Sequence, residues 1–81
     1  LNNIQNLLDL SYQGILIIQR GCFIGLTNLR ILEIHRNSIR IINTRQFSGL
    51  SKVEYIYLNY NLINEIQSFA FDGLSNLKFL D

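Results

Sequence analysis

Apolar and polar residues alternate over short stretches of this chain, and the stretches recur at a fixed distance. One polar residue, Glu33, separates the apolar residues Leu32 and Ile34, which is the alternation of a half-buried β-strand. Ile56 and Leu58 repeat the pattern 24 positions later. The pattern therefore predicts short strands whose inward side chains are Leu32, Ile34, Ile56 and Leu58.

The same distance of 24 residues relates positions outside the strands. Asn37 recurs as Asn61 where the chain must leave the strand, and an asparagine amide can satisfy the backbone donors and acceptors of such a turn. Because 24 residues is neither a helical nor a strand period, we interpret each repeat as one turn of a coil that packs on its neighbours. The register predicts further columns of the scaffold, namely isoleucines on the far side of the core (Ile39, Ile42, Ile63, Ile66), stacked phenylalanines (Phe23, Phe47, Phe71) and glycines at a tight bend (Gly25, Gly49, Gly73).

The register also divides the chain into units. Residues 5–28, 29–52 and 53–76 are predicted to be three repeats, residues 1–4 the tail of a preceding repeat, and residues 77–81 the start of a further one. Neither end carries the polar residues of a cap, and a repeat cannot bury its apolar face alone. We therefore expect an interior segment of a longer solenoid.

A known sequence signature matches this repeat. Residues 29–39 and 53–63 follow the pattern LxxLxLxxNxI, with Val53 at the first position of the second copy. This pattern resembles the leucine-rich repeat, and the closing Phe-x-Gly-Leu is similar to the 24-residue class of extracellular animal proteins, such as Toll-like receptors, Slit-type guidance proteins and small leucine-rich proteoglycans. The resemblance implies an α/β solenoid, a right-handed superhelix shaped as a horseshoe arc, with short parallel strands on the concave face and irregular or 3-10 segments on the convex side.

Side chains that alternate with the inward ones must point outward from the sheet, onto this concave face. All four tyrosines fall at such positions, although the scaffold requires no aromatic residue there. Tyrosine offers a large apolar body with a polar tip and is enriched in binding hot spots. The predicted partner-binding residues are Tyr12, Ile31, Glu33, His35, Arg36, Tyr55, Tyr57, Asn59, Tyr60 and Phe79, whereas Asn37, Asn61, Phe23, Phe47 and Phe71 are predicted to be structural.

Two interpretations of this face remain open. In the first, the chain is a protein-binding segment of an extracellular receptor or adhesion ectodomain that binds a protein or peptide ligand, with receptor dimerisation or a co-receptor as further partners. In the second, the repeats are structural spacers of a matrix protein or part of an intracellular scaffold, and the tyrosines pack on one another for stability. The resemblance favours the first interpretation and a cell-surface location.

Composition and charge exclude several classes of function. A net charge of +1 gives no electrostatic basis for nucleic-acid binding. The longest apolar run, residues 15–18, is far shorter than the ~20 residues of a membrane span. The single cysteine, Cys22, excludes an internal disulfide and a CxxC metal motif, and we expect it to be a small buried apolar side chain.

Catalytic chemistry has little support in the sequence. Glu33 and His35 form a possible acid/base pair on one strand face, but nothing around them resembles a nucleophile or a second histidine. We therefore predict that the chain is not an enzyme and has neither a cofactor nor a metal site.

Overall fold

The computed structural model describes residues 6–81, in which six short strands follow one another without an intervening helix. Residues 1–4, the predicted tail of a preceding repeat, and Gln5 lie outside the described residues. The strands are β1 (Leu7–Asp9), β2 (Ile31–Glu33), β3 (Ile41–Ile42), β4 (Tyr55–Tyr57), β5 (Glu65–Ile66) and β6 (Phe79–Leu80).

Four of these strands form one parallel sheet in the order β1-β2-β4-β6. Leu8 lies beside Leu32, Leu32 beside Ile56, and Ile56 beside Leu80, so each neighbour along the sheet is 24 residues further along the chain. One coil of chain therefore separates adjacent strands. The result is a repeat solenoid in which equivalent positions form columns across the coils.

The core lies behind this sheet. Leu32, Ile34, Ile39, Ile42 and Ile56 have no solvent exposure, so the inward strand residues and the first two far-side isoleucines meet in one apolar cluster. The prediction is wrong for one member of the far-side column. Ile66 is 59% exposed because it lies in the last complete coil of the chain, with a neighbouring coil on one side only.

A column of phenylalanines fills the opposite end of each coil. The rings of Phe23 and Phe47 stack with centroids 5.9 Å apart, and those of Phe47 and Phe71 stack at 5.5 Å. Two residues later, Gly49 has a φ of 104° and passes so close to the preceding coil that an added Cβ would lie 2.6 Å from Ile24 Cα. Only a residue without a Cβ atom can lie this close to the backbone of the preceding coil, so the position requires glycine.

The convex side is mostly irregular, as the resemblance implied, but it also contains a strand pair that was not expected. Turns make up most of it, and β3 and β5 pair as a second parallel sheet, with Ile41 beside Glu65 and Ile42 beside Ile66. Together with the lack of a helix in residues 6–81, this makes the described solenoid a β-and-turn structure rather than an α/β one. Two extended residues per coil are enough for strand pairing when successive coils are in register.

The second sheet does not continue to the first coil, where a side chain replaces the backbone pairing. Between the second and third coils, Gln67 N–H donates to Ile42 O at 2.9 Å. At the equivalent place between the first and second coils, Asn43 N–H donates to Gln46 Oε1 at 3.0 Å and Gln46 Nε2 donates to Ile18 O at 3.0 Å. We call this arrangement the Gln46 bridge. A groove of about 530 Å³ lies beside it, lined by Leu16, Ile17, Ser38, Arg40, Ile41 and Asn43.

Cys22 is exposed, which contradicts the prediction of a buried filler. Of the equivalent residues, Gln46 is buried between the coils on either side of it, and Ala70, in the last complete coil, is also buried. Cys22 belongs to the first described coil and has a neighbouring coil on one side only. Partial burial nevertheless raises the pKa of its thiol, so it is a weaker nucleophile at neutral pH than an ordinary cysteine.

Candidate binding surface

The outward side of the four-stranded sheet, which we call the sheet face, is built by the strict alternation of β2 and β4. Leu32 and Ile56 point inward and are fully buried, whereas Ile31, Glu33 and the flanking residues of β4 are half-buried and point outward. Because the strands are in register, the first outward residues form a single apolar row. Its members are Leu7, Ile31, Tyr55 and Phe79.

The apolar row contacts Tyr57, the second outward residue of β4, through an aromatic pair. The rings of Tyr57 and Phe79 lie 5.4 Å apart. Phe79 is 44% exposed and Leu7 is 42% exposed, so both ends of the apolar row are accessible to solvent. Tyr57 is half-buried by this packing, which makes it partly a structural residue, as the second interpretation of the sequence expected.

A second feature of the sheet face is the ladder formed by Tyr12, Arg36 and Tyr60, called the aromatic ladder below. The Arg36 guanidinium carbon lies 4.2 Å from the centre of the Tyr60 ring and 5.5 Å from that of Tyr12, both within cation–π range. Tyr12 and Tyr60 are 69% and 66% exposed. The three residues have φ values of 59°, 58° and 59°, so each leaves the strand through the same left-handed turn.

Asparagine side chains hold these turns in place. Asn37 Oδ1 accepts hydrogen bonds from the N–H groups of Gln13 and Ile15, at 3.0 and 2.9 Å, in the preceding coil. Its Nδ2 donates to the carbonyls of Leu10, Ile34 and His35. Asn61 repeats the arrangement one coil later with bonds to Ile39, Ile34 and Leu58. The asparagines thus fix where the ladder side chains leave the sheet.

Between the apolar row and the aromatic ladder lies a cluster of titratable side chains, Asp9, Glu33 and His35. One carboxylate oxygen of each acidic residue and one imidazole nitrogen lie within 4.8 Å of one another, and His35 Nε2 is 3.1 Å from Glu33 Oε1. Hydrogen bonds from the hydroxyl and N–H of Ser11 hold the pKa of Asp9 below its ordinary value, and the nearby His35 acts in the same direction. Asp9 is therefore ionised at neutral pH.

The structure brings the ten predicted partner-binding residues together in the strands of the sheet face or just after them. Five lie in its strands (Ile31, Glu33, Tyr55, Tyr57, Phe79), and four follow the strands directly (Tyr12, His35, Arg36, Tyr60). The tenth, Asn59, is half-buried, and its Oδ1 is enclosed without a hydrogen-bond partner, so this atom does not face solvent.

Sequence reasoning missed the part played by Asp9 in the cluster. Only Glu33 and His35, two positions apart on one strand, were paired from the sequence. The 24-residue register places Asp9 directly beside Glu33 as part of an acidic edge, but it did not indicate that both carboxylates lie near His35.

The cluster does not have the arrangement of a nucleophile and its base. Ser11 Oγ donates to Asp9 Oδ1, whereas His35 contacts Glu33. A serine nucleophile needs a hydrogen bond from its hydroxyl to the basic nitrogen of a histidine. In residues 6–81 the cluster is therefore suited to binding a cation or a basic group rather than to acyl transfer.

Comparison with known proteins places the chain in a family. No curated protein matches it significantly. Within residues 6–81 no helix is long and apolar enough to cross a membrane.

The sequence model of one family, described as Leucine rich repeat, matches residues 3–63 and again residues 42–81. These matches span nearly the whole chain, which belongs to the leucine-rich repeat family and is a protein-binding repeat module.

Proposed function

We propose that this chain is a segment of an extracellular receptor or adhesion ectodomain that binds a protein or peptide ligand through its sheet face, the concave face of a horseshoe-shaped superhelix. The observation that carries this proposal is the exposed aromatic ladder. Two tyrosines about two-thirds exposed stand beside an arginine on a scaffold that requires neither residue type there. Tyrosine and arginine are the side chains most enriched in binding hot spots.

The arrangement of the sheet face supports a protein partner. Apolar side chains of Leu7 and Phe79 remain accessible beside the ladder, and their burial by a partner would remove apolar surface from water. Arg36 is already ordered by the two tyrosine rings, so a partner would immobilise few additional rotamers on binding. A pre-ordered surface of this kind favours direct binding over coupled folding.

The extracellular setting rests on the 24-residue unit and its stacked phenylalanines, which resemble the class found in receptor and matrix ectodomains. The proposed role is binding without catalysis, through direct ligand contact, receptor dimerisation or a co-receptor, and without nucleic acid or a cofactor. In the alternative, the repeats are matrix spacers or part of an intracellular scaffold. The ladder side chains then pack on one another to stabilise the fold.

The test is a binding comparison of matched variants. The wild-type chain and the double variant Arg36→Ala/Tyr60→Ala are compared by surface plasmon resonance on a panel of purified extracellular protein domains. Phe69→Ala is the control, because Phe69 is 68% exposed with a φ of 61°, close to the values of Tyr60, but lies outside the sheet face. We expect domains that bind the wild type to bind the double variant at least tenfold more weakly, which is about 1.4 kcal/mol.

Two results would overturn the proposal. One is unchanged affinity of the double variant for every domain that binds the wild type, since the ladder would then not be the contact surface. The other concerns location, which an antibody against residues 60–69 can test on intact cells that express the parent protein. Labelling only after permeabilisation would exclude an extracellular segment.

A further inference from the structure

Two like charges lie side by side on the sheet face. Asp9 in β1 is the register partner of Glu33 in β2, and like charges at directly neighbouring strand positions repel. In the described part of the chain neither carboxylate forms a salt bridge with an arginine or lysine. Two arginines lie three positions from Glu33 along the chain, but Arg30 pairs with Glu54, and Arg36 is stacked with the tyrosines of the aromatic ladder. The only charge partner here is His35, which is neutral unless it is protonated.

The geometry of the cluster is close to that of a metal site. The 3.1 Å between His35 Nε2 and Glu33 Oε1 is near the ligand–ligand distance of a tetrahedral Zn²⁺ site, about 3.3 Å for bonds of about 2.0–2.1 Å. A carboxylate oxygen of Asp9 lies within 4.8 Å of both other ligand groups, and its side chain is at the surface and can rotate closer. Ser11 occupies only Oδ1 of Asp9, which leaves Oδ2 for a metal.

An independent observation concerns the other imidazole nitrogen. His35 Nδ1 is buried without a hydrogen-bond partner, and so is Oδ1 of Asn59, the equivalent residue of the next coil. Arg36 N–H donates to Asn59 O at 3.0 Å, so the two chain segments lie side by side. Buried polar atoms without partners are costly and need an explanation.

A metal ion on Nε2 would explain both enclosed atoms. With its Nε2 lone pair on a cation, the imidazole carries its proton on Nδ1, and Asn59 Oδ1 is the enclosed acceptor without a partner in the neighbouring segment. A histidine that binds zinc usually donates its second N–H to an acceptor in this way, which fixes its tautomer. Without a cation, a neutral imidazole either turns an unprotonated Nε2 toward a carboxylate oxygen or carries its proton on Nε2 and leaves Nδ1 as an enclosed acceptor.

We propose that Asp9, Glu33 and His35 form a binding site for one divalent transition-metal ion of the Zn²⁺ type, with Asn59 as the residue that orients His35. One imidazole nitrogen and two carboxylate oxygens suit Zn²⁺, whereas Mg²⁺ and Ca²⁺ prefer all-oxygen sites. Three protein ligands leave the fourth position to water or to a group of a binding partner. The site does not depend on the proposed function, since the ion binds to the chain alone.

The test uses the tag-free chain with Cys22→Ser as background, because an exposed thiol could bind zinc on its own. Zn²⁺ is titrated by isothermal calorimetry, and the signals of the single imidazole are followed by NMR. We expect one Zn²⁺ per chain, a zinc-dependent shift of the His35 signals, and no response to equal concentrations of Mg²⁺ or Ca²⁺. Asn59→Ala is expected to weaken binding about 10–100-fold.

The ligand variants provide the decisive comparison. His35→Ala and Glu33→Gln are expected to lose binding, whereas Glu54→Gln, which changes a carboxylate outside the cluster, is expected to keep it. Circular dichroism confirms that each variant is folded. Retained zinc affinity in folded His35→Ala, or equal responses to Zn²⁺ and Mg²⁺, would overturn the proposal.

Discussion

Asn37 shows how much of the structure depends on one small polar side chain. Its amide forms five hydrogen bonds to three places in the backbone, namely the strand end of its own coil, the strand end of the preceding coil and the turn that follows it. Asn61 is less buried and forms three. The two asparagines occupy the same position of the repeat, but they do not contribute equally.

We predict that Asn37→Ala lowers the free energy of unfolding by about 2–3 kcal/mol, because buried backbone donors and acceptors lose their partners. Asn61→Ala should lower it by less. Urea denaturation of both variants tests this order, with Gln13→Ala as the control, since the exposed Gln13 holds no turn of a neighbouring coil. An equal loss in both asparagine variants would contradict the ranking.

Residue identity predicted the columns well but did not predict exposure near the first and last coils. The 24-residue register alone placed the asparagines, the phenylalanines and the tyrosines. It could not distinguish Cys22, which is exposed, from Gln46, which is buried, because burial depends on the coil packed against each residue. The left-handed turns of the aromatic ladder were also not predictable, since tyrosine and arginine do not favour positive φ.

At the level of the elements, the tight bends are not equivalent. Gly49 faces the backbone of the preceding coil at Ile24, whereas no atom lies within 4 Å of a Cβ built at Gly73. Both residues have positive φ, 104° and 86°. The bend at Gly49 therefore combines conformational strain with close packing, and the bend at Gly73 has the strain alone.

We predict that Gly73→Ala costs about 1–2 kcal/mol of stability, the strain of a left-handed residue. Gly49→Ala is expected to cost about 3 kcal/mol or more, because backbone atoms must also move to admit the methyl group. Thermal unfolding followed by circular dichroism compares the two. A smaller loss at Gly49 than at Gly73 would show that the packing of the first and second coils is looser than the structure indicates.

The second sheet is an element that the hydrophobic pattern of the sequence did not predict. β3 and β5 contain Ile42 and Ile66, which the register assigned to a core column but not to a strand pair. The Gln46 bridge was equally hidden, because no periodic partner of Gln46 is a glutamine. Both depend on how neighbouring coils fit together, which a single repeat does not encode.

At the scale of the whole molecule, stability depends on contacts between nearest-neighbour coils. Leu80 occupies the same column as Leu32 and Ile56, which have no solvent exposure, and yet Leu80 is 43% exposed. A further coil packed against β6 would bury it.

We predict that a designed capping repeat joined after Asp81 raises the free energy of unfolding by at least about 1 kcal/mol, because it buries the 43% of Leu80 that is exposed and a leucine buried from full exposure contributes about 1.5–3 kcal/mol. The urea dependence of that free energy should also become steeper, because more surface is exposed on unfolding. An extension of the same length made of glycine and serine is the control. If both extensions behave alike, coil-on-coil packing at β6 does not limit stability.

The Gln46 bridge has a mechanical consequence. A pulling force applied to the two termini loads the coils in series, so the weakest joint separates first. At the position of the second sheet, one amide side chain links the first and second coils, whereas paired strands link the second and third. In an optical trap, the first coil should therefore separate from the second at a lower force than the second separates from the third. The joint between the second and third coils, formed by β2–β4 and β3–β5, would remain intact after the first coil has detached.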